Sequence, residues 1–273
     1  SPKHAKSVKK NLAALVYPRL GVFPVTDITP PMVRQAILDI EAHRAKDIAR
    51  RIRQQLSAIF VHAIACGLAE SDPAGVIRKA FPPVSGGHHP AIINLEDLKC
   101  MLRDAEATQA RPLTKLALRL LCLTATRPGE LRHARWEEFD GDRWHIPAER
   151  MKMRRPHTVP LSRQAQEIIE QIRQITGNCP YVFPSTRWAH RPMSENAIGY
   201  LLNRAGYSGR HVPHGFRSSF SSIMNERRPQ DRAIIDLMLA HASRNEIEGI
   251  YNRAQHMSQR IKISQEWADI VIF

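Results

Sequence analysis

Between Phe81 and Asn94 the chain reads "FPPVSGGHHPAIIN", a run of proline, glycine and histidine set between two stretches of helical spacing. Proline withholds an amide donor and glycine leaves φ open, so the run continues neither pattern. It constrains the 273-residue chain to two cores: a helical domain over 1–82, a linker over 83–93 and a second domain over 94–273. Both domains are long enough to bury a core of their own. His88 and His89 have no carboxylate or cysteine partner at useful local spacing, so they read as exposed linker histidines and no metal is expected.

Ahead of the linker, "TPPMVRQAILDIEAH" repeats apolar residues at Val33, Ile37 and Ile40, and "AKDIARRIRQQLSAIFVHAIACGL" does so at Ile48, Ile52, Leu56, Ile59 and Ala63. The spacing predicts two helices packed on each other. Their outer faces then carry Arg44, Lys46, Arg50, Arg51 and Arg53, joined by Lys3, Lys6, Lys9 and Lys10 near the start. Any one of these is an ordinary solvated charge. Together, with 40 Lys and Arg against 26 Asp and Glu and a net charge of +14, they point to a polyanion, and to nucleic acid rather than a membrane surface. Cys66, Cys100, Cys122 and Cys179 are widely spaced, as expected of free thiols in a reducing cytosol. No apolar run suits a membrane span or a signal peptide, and a start at Ser1 reads as that of a fragment or processed chain.

Beyond the linker, "LEDLKCMLRDAEA" and "LTKLALRLLCLTA" read as helices, and "DGDRWHIPA" and "RPHTVPLS" as two short strands. A helix over "RQAQEIIEQIRQI", an extended "YVFPS" and four further helices complete the pattern. The expected fold is mainly α with a small β-sheet.

Four stretches carry chemistry. In "TATRPGELRHARW", Leu118, Leu121 and Cys122 anchor a helix whose interrupted end delivers Arg127, with Glu130 three residues on. The pair is either a structural ion pair or a guanidinium oriented for an anionic oxygen. In "ERMKMRRPHTVPL", Lys152, Arg154 and Arg155 lie between the strands, and spacing alone leaves open which one donates a proton and which merely contact phosphate. "HVPHGFRSSFSSIMNE" sets His214 and Arg217 at helical spacing, with Phe216 and Phe220 turned to the core. Finally, "AIIDLMLAH" delivers His241, and Tyr251 follows ten residues later as either a packing residue or a nucleophile activated by a positive pocket. No compact carboxylate set suits a two-metal site. The combination favours a metal-free, cofactor-free attack of tyrosine on phosphorus.

"TATRPGELRHARW", "RMKMRRPHTVPLS", "HGFRSSFSSIMNE" and "LAHASRNEIEGIYNRA" together resemble the tyrosine recombinases, in wording most like the integrases of genomic islands and satellite phages. The resemblance implies a helical core-binding domain followed by a catalytic domain, the two forming a clamp on duplex DNA. It assigns Arg127, Lys152, His214, Arg217, His241 and Tyr251 to catalysis and Glu130 to support. Tyr251 would form a 3'-phosphotyrosyl link, and a partner strand's 5'-hydroxyl would reverse it. It further implies a tetramer on paired double-stranded attachment sites and a monomer without DNA. DNA-bending accessory proteins, a location with the bacterial nucleoid in the cytoplasm and a separate N-terminal arm-binding domain, not found in this sequence, complete the expectation. A type IB topoisomerase, a noncatalytic DNA-binding regulator and a helical interaction protein are the competing readings. The tail "SQRIKISQEWADIVIF" would dock Trp267, Ile270 and Val271 on its own domain or on a neighbouring protomer.

Overall fold

The computed structural model describes residues 2–81, 89–241 and 256–272, with side chains from Ala5 onward. It divides into two compact units, Ser1–Gly87 and His88–Phe273.

In the first unit, α1 (Pro2–Asn11) winds on through a π-helical turn, Leu12–Val16, to Leu20. Then come α2 (Pro30–His43), α3 (Lys46–Ala65) and the single turn α4 (Pro73–Val76). Prolines open α2 and α4, where their missing amide costs nothing. Val33, Ile37 and Ile40 of α2 are fully or nearly fully buried against Ala49, Ile52, Leu56 and Phe60 of α3, with Leu12, Val16 and Leu20 closing the core.

Two expectations about α3 need correction. Ile59 is 41% exposed and Phe60 takes its place in the core. Arg53, expected on the outer face, is only 8% exposed and donates from Nη1 to the Ala74 carbonyl at 2.9 Å. At about 100° per residue the buried stripe runs through Ala49, Ile52, Leu56, Phe60 and Ala63. Arg53 and Ile59 lie on opposite margins of that stripe, and only the Arg53 margin is covered, by the turn that carries Ala74. Burial, and then the Arg78 charge, pull the Arg53 guanidinium below its ordinary pKa, while Asp72 opposes them. Asp72 also caps α4, accepting from the Ala74 and Gly75 amides at 3.0 and 2.8 Å. Arg53 therefore ties α3 to α4 and leaves the surface-contact set. Lys6, Lys9, Lys10, Arg44, Lys46 and Arg51 are exposed, and Arg50 is half-buried; Lys3 lies outside the described side chains.

The second unit holds α5 (Leu95–Ala107), α6 (Pro112–Thr124), α7 (Pro128–Arg132), β1 (Phe139–Asp140), β2 (Arg143–Ile146) and β3 (His157–Pro160). After these come α8 (Arg163–Thr176), α9 (Ala197–Leu202), α10 (Gly215–Arg227), α11 (Arg232–Met238) and α12 (Met257–Val271). The sheet is antiparallel in the order β1-β2-β3, with Asp140 opposite Arg143 and Ile146 opposite His157. The two-residue β1 adds a strand to the two expected; it turns into β2 through Gly141 at a φ of +53°. Tyr181, in the expected extended stretch, makes an isolated bridge to Arg135.

Trp144, Phe183, Phe216, Phe220 and Trp267 are buried in the core of this unit. Trp267 fixes α12 to its own chain, donating from Nε1 to the Cys122 carbonyl at 2.8 Å and meeting Phe220 edge-on at 5.4 Å. Ser264 reinforces the dock with a 3.0 Å bond to the Pro160 carbonyl. The last part of the expected linker belongs to this unit too: the Pro90 carbonyl accepts from Val212 N at 3.2 Å, and Ile92 N donates to His211 Nδ1 at 3.0 Å. Among the described residues, no helix is long and apolar enough to cross a membrane.

Replacing Arg53 by methionine, which keeps the apolar stem but removes the bond to Ala74, is expected to destabilise the first unit by about 1–3 kcal/mol. Hydrogen exchange should quicken in α3 and α4 while α6 and α10 keep their protection.

Candidate active site

The site grows from three helix ends. Helix α6 stops at Ala125, whose left-handed backbone (φ +47°) lets its amide reach back to the Leu121 carbonyl at 3.0 Å. Two residues on, Arg127 caps α7, where Pro128 and Gly129 begin the next turn. Glu130, 5% exposed, accepts from the Arg127 amide at 2.8 Å and from its Nη1 at 2.7 Å. One carboxylate thus caps the helix and aims the guanidinium. An arginine has no acceptor to return the favour, so this is half of a capping box.

The second end is that of α11. Ala240 is left-handed (φ +47°); its amide donates to Leu237 O at 3.0 Å and the His241 amide to Asp236 O at 3.1 Å. This crossed pair is a Schellman motif, and it leaves the carbonyls of Met238, Leu239 and Ala240 for outside donors. Arg217 Nη2 takes Leu239 O at 2.6 Å, Arg127 Nη2 takes Ala240 O at 3.3 Å, and His157 Nε2 takes Met238 O at 3.2 Å. Arg217 also reaches Ala125 O from Nη1 at 3.0 Å. Arg127 and Arg217, 90 residues apart in sequence, therefore hang from one short stretch of backbone. Each spends two of its five N–H donors on these protein acceptors, which leaves others for an anion.

The third end is the start of α10. His214 holds the N-cap position and Arg217 lies one turn in. Gly215 must lack a side chain, because a Cβ would stand 2.7 Å from the Pro90 carbonyl. His214 is half-buried, and His89 meets its ring edge-on at 5.2 Å. Burial, then the charges of Arg217, His89, Arg127 and Lys152, hold the His214 pKa below its usual value. Arg217, 6% exposed, is pulled down to about 10, by burial first and Arg127 second, so it stays a cation at neutral pH.

Lys152, Arg154 and Arg155 are exposed on the β2–β3 connection, where Arg154 has a positive φ of 51°. The base of that connection is fastened by a residue the sequence did not single out. Arg150 donates to both oxygens of Glu138 and to the Glu130 carbonyl, while Trp144 Nε1 holds Glu138 Oε2 at 2.9 Å. His241 is exposed, with Nδ1 3.2 Å from Asp236 Oδ1. Tyr251 lies outside the described residues. Among the described residues no group of His, Cys, Asp or Glu stands close enough together to hold a metal ion.

Residues 93–257 match the phage integrase family, and residues 1–80 match the phage integrase central domain. The chain belongs to the phage integrase family. It is 34% identical over 273 residues to prophage integrase IntA of Escherichia coli (strain K12), and 31% identical over 286 residues to the integrase of Enterobacteria phage P4. Both matches cover 98% of this chain, which spans 65% of the length of those relatives. Prophage integrase IntZ of the same E. coli strain is 35% identical over 273 residues, covering 99% of this chain and 67% of IntZ. In fold the chain is similar to lambda integrase, solved as a dimer bound to a COC' core site (TM-score 0.71, 20% identity, 94% of this chain and 73% of that one). It is also similar to the Tn1549 transposon integrase, solved in complex with circular intermediate DNA (TM-score 0.68, 13% identity, 96% and 94%).

His211, 1% exposed behind the site, is held down to about 4 by burial. A histidine depressed in the folded state is protonated first in the unfolded chain. Its stabilisation is therefore complete above about pH 6.5 and is lost as pH falls toward 4, by roughly 3 kcal/mol. Denaturant titrations at pH 7 and pH 4.5 should show this loss. His211→Asn, whose Oδ1 can still accept the Ile92 amide, should shrink it.

Proposed function

We propose that this chain is the core-binding and catalytic portion of a tyrosine site-specific recombinase that integrates and excises a mobile element. The observation that carries the reading is the pair of buried-stem guanidiniums, Arg127 and Arg217, tethered to adjacent carbonyls at the α11 terminus. Two preset cations side by side suit the nonbridging oxygens of one phosphodiester, whose charge grows in the transition state. Family membership and the quoted motifs supply the rest of the assignment.

In this mechanism the Tyr251 phenolate oxygen attacks phosphorus and the bond to the 5' oxygen breaks. Arg127, Arg217 and His241 hold the nonbridging oxygens. His214, kept largely neutral by its surroundings, takes the Tyr251 hydroxyl proton to form that phenolate, and Lys152 gives a proton to the departing 5' oxygen. The 3'-phosphotyrosine conserves the bond energy, so a partner strand's 5'-hydroxyl can reverse the step without a cofactor. Glu130 acts through Arg127 and touches no substrate. Lys6, Lys9, Lys10, Arg44, Lys46, Arg50, Arg51, Arg154 and Arg155 contact DNA phosphates, with Arg53 removed from that set by its burial. The partner is duplex DNA at paired attachment sites, with a tetramer assembled on it, DNA-bending proteins assisting, and the work done at the bacterial nucleoid.

Mixing the chain with a nicked duplex carrying its element's core site should trap a covalent adduct on Tyr251, and Tyr251→Phe should form none while binding the duplex as tightly. An adduct formed equally by both proteins contradicts the assignment of Tyr251.

A further inference from the structure

We propose that His157, on β3, is a positioning residue: its bond to Met238 fixes the end of α11 that delivers His241. The inference rests on the recombinase reading for its consequence in catalysis, but the contact itself stands on geometry.

The last carbonyls of a helix have no partner within it. In α11, three consecutive ones are taken by three donors from three different elements: Met238 by His157 of β3, Leu239 by Arg217 of α10 and Ala240 by Arg127 at the start of α7. Because Met238 offers an oxygen, His157 Nε2 must carry the proton, which fixes the tautomer. Arg217 and Arg127 have work at the phosphate and their tethers share in it. His157 is a tether alone, and it joins the α11 end directly to the strand that follows the Lys152 connection. Through β3, the segment bearing His241 and the segment bearing Lys152 are held to one another.

The chemistry of the side chain fits that task. Arg127, Arg217 and Arg260 face His157 from α7, α10 and α12, so another cation here would face repulsion from all three. A neutral imidazole donates a hydrogen bond without adding charge. Burial first, and the Arg260 charge second, hold the ring down to about 4, against a smaller upward pull from the Met238 carbonyl. Arg260 approaches this strand as well, donating to the Thr158 carbonyl. The His157 tether thus stays formed across the whole pH range in which the enzyme would work.

The test compares His157→Leu with His157→Gln, since the glutamine amide nitrogen can reach the place of Nε2 and donate to Met238. Two readouts are needed: exchange of the Ala240 and His241 amides without DNA, and the single-turnover rate of adduct formation on the nicked core-site duplex. The leucine variant should speed exchange about fivefold, the equivalent of one net hydrogen bond. It should slow adduct formation by about tenfold to a hundredfold, with duplex affinity unchanged. The glutamine variant should stay near the native chain in both. Native exchange and cleavage in the leucine variant overturns the proposal. So does equal damage in both variants, which would make the ring a packing element. Should the native chain form no adduct, the recombinase reading fails, while the exchange comparison still decides the tether.

Discussion

A single buried cation, Arg217, holds two helix termini together, and most of the site depends on it. Its guanidinium spans the Ala125 and Leu239 carbonyls at 3.0 and 2.6 Å. Both lie at the C-terminal, electronegative ends of helices, α6 and α11, so the charge is stabilised by aligned peptide dipoles. Each helix end includes an alanine in the left-handed region, Ala125 and Ala240, a conformation costing about 1–2 kcal/mol without glycine's freedom. Charge-assisted bonds of roughly 1.5–3 kcal/mol each are enough to offset it. The same strain turns the chain sharply after each helix, which is what brings Arg127 and His241 toward one place. Local conformation, electrostatics and the proposed phosphate pocket are one arrangement.

Around that clamp, the remaining contacts stop the parts from drifting. Glu130 sets the direction of Arg127 through two bonds from one carboxylate. Arg150 joins Glu138 to the Glu130 carbonyl, so the connection that carries Lys152 has its base bound to the helix that Arg127 caps. On the far side, α12 lies across α6 and β3 through Trp267 and Ser264. An exposed lysine on such a base can move at its tip and return to one position, which suits the proton-donor role proposed for Lys152.

The sequence made the helices legible where periodicity and punctuation agree: Pro112, Pro128 and the Pro213-His214-Gly215 step mark helix starts, and Val33, Ile37 and Ile40 mark a buried face. Arg127, Glu130, His214 and Arg217 could be singled out for the same reason, since each sits within three residues of such a signal. Arg53 was misread because charge suggests a surface, and only the Ala74 carbonyl, 21 residues away, explains its burial. Ile59 was misread because a step of three residues from Leu56 and one of four look equally good in one dimension, while the stripe follows Phe60. His157 and Arg150 gave no local signal at all: their partners, Met238 and Glu138, lie 81 and 12 residues off. The ring of His89 against His214 was hidden likewise, because a proline- and glycine-rich stretch reads as linker whatever it packs on.

The central claim is that the two guanidiniums are fixed by protein carbonyls before any ligand arrives. Nitrogen-15 NMR of the arginine side chains in the DNA-free chain tests it most directly, because a tethered guanidinium rotates slowly about its Cζ–N bonds and shows separate Nη signals. The account predicts such separated, exchange-protected signals for Arg127 and Arg217, in contrast to exposed Arg51 and Arg155. Averaged signals from Arg127 and Arg217, indistinguishable from those of the exposed arginines, would mean that the pocket is not preset and that the clamp does not exist in solution.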